Sequence, residues 1–358
     1  MIQKDNRLLR IGILGCGPIA QIAHFDACRK ARNAELYAIC DLADDLRDKM
    51  AAIHEPRAAY RNADELLADP QVEAIIIGVA DQYHVPLALK AIAAGKHVLL
   101  EKPLGVSVEE CEQLRTAVHA SKLILQVGNN RRFDPGIAFA QKFVRQEIGH
   151  VLALKAWYCD STHRYTMTDN LQPMVRQSAQ ARRPTGNPKA DRRRYFILTH
   201  ASHLVDTARF FGGEIISVRA RLLEKCGAFT WFIEVEYASG ALGHLDLTIP
   251  VRGDFEEGFQ IYGEHGSVKG QVFLPWYHKA SVVECFSEKD RQFHRPLGED
   301  AHTYKLQIEG FAETILHGRP QHGANVDDGV AAMRALVAIA RSVERGDAVK
   351  LADVTGEV

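Results

Sequence analysis

The stretch that decides the fold is Arg10-Ile-Gly-Ile-Leu-Gly15-Cys-Gly17-Pro-Ile-Ala20, in which an apolar run ends in the pattern Gly-x-Gly-x-x-Ala. Gly15 permits a tight turn, Gly17 lets the backbone approach a pyrophosphate, and Ala20 allows a helix to pack closely on the strand. The N-terminus of that helix favours phosphates because its free N–H groups point at them. The stretch therefore predicts a strand, a glycine-rich turn and a helix that bind a dinucleotide. The residues of this turn expected at the cofactor are Gly15, Gly17, Pro18, Ile19 and Ala20.

An acidic residue, Asp41, follows the next apolar run, about 20 positions after the glycine motif, where dinucleotide-binding folds place one. Its carboxylate would accept hydrogen bonds from the adenosine ribose hydroxyls and would repel a 2′-phosphate. The run Asp41-Leu-Ala-Asp-Asp45 contains no Arg, the residue that would accommodate that phosphate. We therefore predict NAD rather than NADP as the cofactor, with Asp44 and Asp45 acting as helix N-terminal charges.

Residues 1–128 alternate between short apolar runs and helical patterns, which predicts a doubly wound α/β domain of the Rossmann type with a parallel sheet. Ser107 and Glu110 form a capping-box pattern at the start of one predicted helix. The predicted strands are Leu8–Leu14, Leu36–Cys40, Val72–Val79, His97–Leu100 and Leu123–Val127. The predicted helices are Ala20–Ala31, Leu42–Ile53, Val85–Ala94 and Val108–Ala120.

The pattern changes after Phe133-Asp134-Pro135, and residues 129–358 predict an α+β domain. Residues 231–247 are typical of a hairpin in an antiparallel sheet with one better-covered face. The predicted strands are Val151–Cys159, Ile215–Leu223, Trp231–Tyr237, Ala241–Thr248, Glu257–Tyr262 and Ser281–Phe286. The predicted helices are His203–Phe211, His302–His317 and Val326–Glu344. We expect the last helix, within residues 326–345, to pack back on the first domain.

The charge of the chain is nearly balanced, with a formal net charge of -1 and a pI of about 7.0. This balance excludes a global basic field that would attract nucleic acid or an anionic membrane. No apolar run approaches the roughly 20 residues that span a bilayer, and Met1–Arg10 lacks a signal-peptide pattern, so we expect a cytoplasmic protein. The 7 cysteines form no C-x-x-C pair and are expected to be reduced. The 16 histidines show no metal-binding spacing, so no metal is expected.

One segment, residues 161–194, departs from this balance because it holds seven Arg and one Lys against two Asp. One interpretation is a solvated loop. Another is a lid beside the substrate that clamps a carboxylate or phosphate. A third is an arm that docks on an acidic surface of a neighbouring subunit, and of the two functional roles we favour this one. The side chains that would form the clamp are Arg164, Arg176, Arg182 and Arg183.

A second motif, Ala94-Gly-Lys-His-Val-Leu-Leu-Glu101-Lys102-Pro103, lies at the end of a predicted strand. Together with the glycine-rich turn, it resembles the A-G-K-H-V-x-x-E-K-P signature of the glucose–fructose oxidoreductase and inositol dehydrogenase family (Gfo/Idh/MocA). Gly128-Asn-Asn-Arg-Arg-Phe-Asp-Pro135 resembles the family's domain junction, and Asn325-Val-Asp-Asp-Gly329 resembles its C-terminal end. The resemblance covers most of the chain apart from residues 161–194.

The resemblance implies a Rossmann domain followed by a domain with a large, mostly antiparallel open sheet, whose free face commonly forms homodimers or homotetramers. It also implies that Lys102 reaches the reacting oxygen and that the bond between Lys102 and Pro103 is often cis. The residues expected at the cofactor, from the fingerprint and the resemblance together, are Gly15, Gly17, Pro18, Ile19, Ala20, Asp41, Ala80, His84, Glu101, Lys102, Asn130 and Arg131.

The resemblance further implies a catalytic helix that carries D-x-x-x-H, and the matching segment is Thr199-His-Ala-Ser-His203-Leu-Val-Asp206. His203 matches the acid/base histidine, and Asp206 matches its usual companion, expected to orient His203 or to pair with Arg209. Thr199 stands where the family has Asp, and it cannot supply a carboxylate. We include Thr199 and Asp206 among the expected catalytic residues, with Lys102 and His203. The expected substrate-binding residues are Lys102, Arg132, Tyr158, Thr199, His200 and His203.

These residue types suit the oxidation of an alcohol, since a histidine can take the hydroxyl proton and a lysine ammonium can stabilise charge on the oxygen. The leading hypothesis is an NAD-dependent dehydrogenase of a sugar, a sugar derivative or a cyclitol. One alternative is an NAD-dependent glycosidase, which oxidises its substrate transiently and eliminates the aglycone. Another is a non-catalytic NAD(H)-binding sensor, for which the threonine at position 199 leaves room.

Overall fold

The computed structural model describes residues 7–161, 174–181, 190–299 and 301–358, and these form two sheets with helices packed on them. The first sheet has six parallel strands in the order β3-β2-β1-β4-β5-β6. Its strands are β1 Leu9–Leu14, β2 Ala34–Cys40, β3 Ala58–Tyr60, β4 Ala74–Ile77, β5 His97–Leu100 and β6 Leu125–Val127. Its helices are α1 Phe25–Lys30, α2 Asp44–His54, α3 Ala63–Ala68, α4 His84–Ala93 and α5 Val108–Ala120.

This sheet confirms the predicted doubly wound fold. Its central strands are almost entirely buried, as apolar runs covered by helices on both faces should be. The capping box of Ser107 and Glu110 is present at the start of α5. A π-helical turn, Ala20–His24, precedes α1, so the predicted first helix begins where expected but changes pitch after one turn.

The sequence prediction missed β3 and α3. These elements are only three and six residues long, and their Ala-rich sequences lack the continuous Ile and Val runs that identified the other strands. The Asn62 side chain caps α3 by accepting a hydrogen bond from the backbone N–H of Glu65 at 2.9 Å. This short unit extends the sheet beyond β2, at the edge farthest from β6.

The second sheet has nine strands in the order β14-β13-β12-β11-β7-β10-β9-β8-β15, antiparallel except where β10 pairs with β7. This confirms the large, mostly antiparallel sheet. Its strands are β7 Val151–Ser161, β8 Ile215–Lys225, β9 Ala228–Tyr237, β10 Leu242–Val251, β11 Glu256–Gly263, β12 Gly266–Val272, β13 Val282–Ser287, β14 Gln292–His294 and β15 Val349–Lys350. The helices that follow the first domain are α6 Pro135–Glu147, α7 Arg192–Phe196, α8 Ser202–Gly212, α9 Thr303–His317 and α10 Val326–Arg345.

The prediction also missed helix α6 and strand β12. The side chain of Asp134 caps α6 by accepting hydrogen bonds from the N–H groups of Gly136 and Ile137. Strand β12 is hard to recognise because Gly270 stands at an inward position. The ring of Phe259 on β11 packs directly against this glycine and occupies the space that a side chain would need.

One face of the second sheet is covered and the other is open. Inward side chains such as Trp231 and Phe259 are almost fully buried. Helix α10 packs on β8 and also contacts α5 and β6, so it touches both sheets. Large apolar side chains remain exposed on the open face, among them Leu223, Phe232, Leu242, Tyr262 and Val282. Among the described residues, no helix combines the length and the apolar character that a membrane crossing requires.

Candidate functional site

The glycine-rich turn has the geometry that a dinucleotide needs. Gly15 has a φ of +99°, and a Cβ there would lie 2.7 Å from the carbonyl oxygen of Gly78. A Cβ built on Gly17, in contrast, would meet nothing within 4 Å. The turn therefore leaves an open cradle beside Gly17 at the start of the first helix, and a pyrophosphate fits this cradle.

The carboxylate of Asp41 lies next to this turn. It accepts hydrogen bonds from the backbone N–H of Cys16 and of Ala43, both at 2.8 Å, and it is partly exposed. These bonds fix an acidic group at the end of β2, between the glycine-rich turn and the start of α2. That position suits the hydroxyls of an adenosine ribose.

Two further residues predicted at the cofactor lie between the end of β4 and the first turn of α4. Ala80 is half-buried and begins a 3₁₀ turn, Asp81–Tyr83. His84 is 1% exposed, and its ring nitrogens lie 2.7 Å from the carbonyl oxygen of Pro103 and 3.2 Å from that of Val79. His84 therefore connects the loops after β4 and β5 from inside the wall of the site.

Glu101, at the end of β5, forms a buried pair with a residue that the sequence reasoning missed. The Nε2 of His24 lies 2.9 Å from a Glu101 carboxylate oxygen, and the other oxygen accepts the N–H of Lys102 at 3.2 Å. Burial alone would raise the pKa of Glu101, but the His24 hydrogen bond and the neighbouring positive charges bring it below its usual value. The pair joins the first helical turn after the glycine motif to Glu101, the residue directly before Lys102.

Lys102 connects the two halves of the site. Its Nζ donates a hydrogen bond to the carbonyl oxygen of Thr199 at 3.2 Å, and the following bond to Pro103 is cis, as the resemblance implied. Lys102 itself is half-buried. The strand end of the first sheet thus lies directly against the predicted catalytic helix.

The predicted catalytic helix is irregular around Thr199, one of its predicted functional residues. A π-helical turn, Ile197–Ala201, separates α7 from α8 and contains Thr199, while His203 lies in the first turn of α8. π-Helical turns are rare and frequently occur at functional sites. Among the described atoms, the Thr199 hydroxyl is buried and finds no hydrogen-bond partner. The turn therefore presents a polar side chain that a ligand can satisfy.

The ring of His203 stacks on Tyr158 of β7, with centroids 5.9 Å apart and planes 5° apart. Burial, followed by the positive charges of Lys102, Arg131 and His200, holds the pKa of His203 well below its usual value. His203 is therefore neutral near pH 7 and can accept a proton.

A carboxylate that the sequence reasoning missed lies beside His200, the neighbour of His203 on this helix. Asp160 is 7% exposed, and one of its oxygens lies 3.4 Å from Nε2 of His200. Tyr158 and Asp160 share the inward face of β7 because they are two residues apart on a strand. That parity was available in the sequence, and with a predicted strand over residues 151–159 it could have identified Asp160. The pair brings a carboxylate close to the helix on which Thr199 replaces the family's Asp.

Two predicted site residues, Arg132 and Asp206, pair with each other. Arg132, expected at the substrate, is 6% exposed and pairs with Asp206 at 2.7 Å and with Asp328 at 2.9 Å. Asp206 therefore holds Arg132 rather than pairing with Arg209, which instead contacts Asp328 and Glu214. Both guanidinium groups are buried, and each one has carboxylate partners, because an unpaired buried charge is costly.

The two residues before Arg132 also have partners farther along the second domain. Arg131 is buried and pairs with Glu257 of β11 at 2.6 Å. The side-chain amide of Asn130 donates to the Thr303 hydroxyl at 2.9 Å. These contacts fix the domain junction, and they place Arg131 close enough to lower the pKa of His203. Within the described ranges, no group of three or more His, Cys, Asp or Glu side chains could hold a metal ion.

Two sequence models of one oxidoreductase family match the chain in succession. The first, described as an oxidoreductase family with an NAD-binding Rossmann fold, matches residues 9–129. The second, the GFO/IDH/MocA C-terminal domain, matches residues 140–269. The two matches together cover most of the chain, which therefore belongs to the Gfo/Idh/MocA family. It is an NAD-dependent oxidoreductase, and the cradle at Gly17 and the carboxylate of Asp41 fit that cofactor.

Relatives of similar length are known. The inositol 2-dehydrogenase of Rubrobacter xylanophilus is 25% identical over 96% of this chain and 94% of its own. The myo-inositol 2-dehydrogenase of Thermotoga maritima is 26% identical over 97% of this chain and 100% of its own. The solved structure of a levoglucosan dehydrogenase with NADH has a TM-score of 0.76 at 20% identity, over 96% of this chain and 99% of that one, which shows the shared fold.

Proposed function

We propose that the protein is a dehydrogenase that oxidises a hydroxyl-bearing carbon of a sugar, a sugar derivative or a cyclitol, or reduces the corresponding carbonyl. The observation that carries the proposal is the meeting of Lys102 and the helix of His203. A cation and a neutral histidine lie at one junction, beside the end of β5 and close to the cofactor turn. We place the boundary between the cofactor domain and the substrate domain after residue 128.

The chain's residues divide the work at the reacting oxygen. His203 accepts the hydroxyl proton, because its low pKa keeps the ring neutral before the reaction. The Lys102 ammonium stabilises the negative charge that develops on the oxygen as the C–H bond breaks and the carbonyl forms. When bound, NAD takes up the hydride from the carbon and becomes NADH. In the reverse direction, His203 returns the proton and Lys102 polarises the carbonyl.

The proposed substrate class rests on the polar lining and on the relatives. Tyr158 stacks on His203 and also contacts His200, which pairs with Asp160, and the buried Thr199 hydroxyl lies four residues before His203 in the chain. Together they offer hydrogen bonds to several neighbouring hydroxyl groups. Relatives that cover this whole chain are named inositol dehydrogenases, and the similar solved structure is that of a levoglucosan dehydrogenase. A polyhydroxylated ring satisfies both observations.

We also propose that the protein forms a homodimer or homotetramer through the open face of the second sheet. Exposed apolar patches of this kind commonly mark contact surfaces, and this face carries several large apolar side chains. Light scattering on the purified protein would measure the oligomer mass. A monomer at micromolar concentration would contradict the proposal.

The test of the proposed function is a screen of NAD reduction, followed at 340 nm. The panel consists of free sugars, inositols, anhydrosugars, glycosides and sugar acids. We expect NADH to accumulate with at least one polyol and to stay at baseline with simple alcohols. Hydrolysis of a glycoside without net NADH would indicate the glycosidase alternative, and NADH binding with no turnover on any compound would indicate a sensor.

A further inference from the structure

Residues 174–181, one described stretch of the Arg-rich segment, lie against the cofactor domain of their own chain. The backbone N–H of Arg176 donates to the Gln21 side-chain oxygen at 2.7 Å, and the Gln21 amide donates to the Arg176 carbonyl at 3.2 Å. The same Gln21 amide donates to the carbonyl of Cys16 at 2.9 Å. Gln21 thus joins this segment to the glycine-rich turn. The hydrogen bonds that anchor residues 174–181 are within the chain, and docking of the Arg-rich segment on a neighbouring subunit stays a prediction.

A second anchor holds the segment at the start of α2. The Asp45 carboxylate accepts the Ser178 hydroxyl at 2.6 Å and the N–H of Ala179 at 2.9 Å. The Nζ of Lys49 donates to the carbonyl of Gln177 at 3.4 Å. Asp45 follows closely after Asp41, the residue expected to bind the adenosine ribose. The segment therefore runs from the pyrophosphate turn to the ribose-binding turn, along the path of the dinucleotide.

This segment brings a cation to the cofactor turn. The Arg176 guanidinium contacts the sulfur of Met174 at 3.8 Å and pairs with no carboxylate in the part of the chain that the structure describes. Its backbone is fixed on Gln21, four residues after Gly17, where the open cradle for the phosphates begins. A pyrophosphate carries two negative charges, and one guanidinium group can donate two parallel hydrogen bonds to phosphate oxygens.

We propose that residues 174–181 close over the bound dinucleotide and that Arg176 pairs with its pyrophosphate. The second domain then contributes directly to cofactor binding, and the cofactor leaves only when the anchors at Gln21 and Asp45 open. This proposal goes beyond the proposed function, because it holds for any substrate that the enzyme oxidises. Arg164, Arg182 and Arg183, also named as clamp candidates, lie outside the described residues.

The affinity test uses the full-length protein and NADH as the probe, with binding followed by cofactor fluorescence. Arg176→Ala should raise the Kd for NADH about tenfold, which is the loss of one charge-assisted contact. The Kd of the wild type should also rise more steeply with salt than that of the variant. Arg176→Lys should recover part of the affinity. The matched control is Arg193→Ala, an exposed arginine paired with Glu224, and it should leave the Kd unchanged.

The anchors are tested by the rate at which NADH leaves, measured by stopped-flow fluorescence. Asp45→Ala removes the acceptor for Ser178 and Ala179 and should increase the dissociation rate several-fold. An unchanged Kd and salt dependence in Arg176→Ala would overturn the phosphate pairing. An unchanged dissociation rate in Asp45→Ala would overturn the closure. A change of oligomer mass in Arg176→Ala, with wild-type NADH affinity, would assign the segment to subunit docking instead.

Discussion

The cofactor half and the substrate half of the site are built in different ways. Gly15, Gly17 and Asp41 act through backbone geometry and a carboxylate close by in the sequence. The substrate half depends on side chains that meet across the fold, for example Lys102 with the Thr199 carbonyl, 97 positions apart. The comparison shows that a site made by local backbone conformation is encoded by a short motif. A site made by side-chain partners depends on the whole packing arrangement.

The buried charges beneath the catalytic helix should produce the largest effect. Arg132→Met leaves Asp206 buried without its cation, and we expect the free energy of unfolding to fall by about 3–5 kcal/mol. Urea denaturation would measure the loss. The matched control is Arg219→Ala, which removes an exposed pair with Asp347 and should cost less than about 1 kcal/mol. Equal losses in both variants would show that the buried network does not support the substrate half.

The second test concerns the cation of the substrate half. Lys102→Ala should lower kcat about 10²–10³-fold, since it removes the group that stabilises charge on the oxygen. Thr199→Ala should be milder, because the carbonyl that accepts the Lys102 hydrogen bond remains. Lys90→Ala, an exposed residue paired with Asp64, is the matched control for both. Kinetics with a substrate from the polyol screen would check this order, and a larger loss in Thr199→Ala would reverse the assignment.

The third test concerns the cofactor half. Asp41→Ser should reduce the preference for NAD over NADP about tenfold, because a carboxylate next to a 2′-phosphate costs binding energy. Ser keeps an oxygen that can accept the Cys16 N–H, so the turn should survive the change. Asp44→Ser is the matched control, since Asp44 pairs with Arg47 and was predicted not to touch the cofactor. Equal use of both cofactors by the wild type would contradict the prediction.

The pH dependence of activity should show a smaller effect, and it tests the histidine of the substrate half. Burial and nearby positive charges lower the pKa of His203. An ordinary histidine is half protonated at about pH 6.5, and His203 in the folded enzyme takes up its proton only at a lower pH. We therefore expect kcat/KM for oxidation to lose activity only below that pH. Lys102→Met removes one of the charges and should move this acid limb upward. An acid limb at or above pH 6.5 in the wild type would contradict the burial argument.

The sequence predicted the cofactor half well because a short motif encodes the local backbone conformation of that half. Gly15, Gly17 and Asp41 lie where the motif requires, and the family resemblance identified the helix of His203. The sequence could not predict that Asp206 binds Arg132, because that pairing depends on how the domain junction packs against α8. Asp160 was missed because the strand that carries it was predicted to end at Cys159, whereas β7 continues to Ser161.

We expect His203 to perform the proton chemistry of the substrate half without holding the cofactor. The most direct test measures kcat and the Kd for NADH side by side in His203→Ala, with His119→Ala, an exposed histidine paired with Asp327, as the control. We predict that kcat falls about 10²–10⁴-fold, the usual contribution of a general acid or base, while the Kd stays within about threefold of the wild type. A kcat near that of the wild type, or a loss that appears mainly in the Kd for NADH, would contradict the claim.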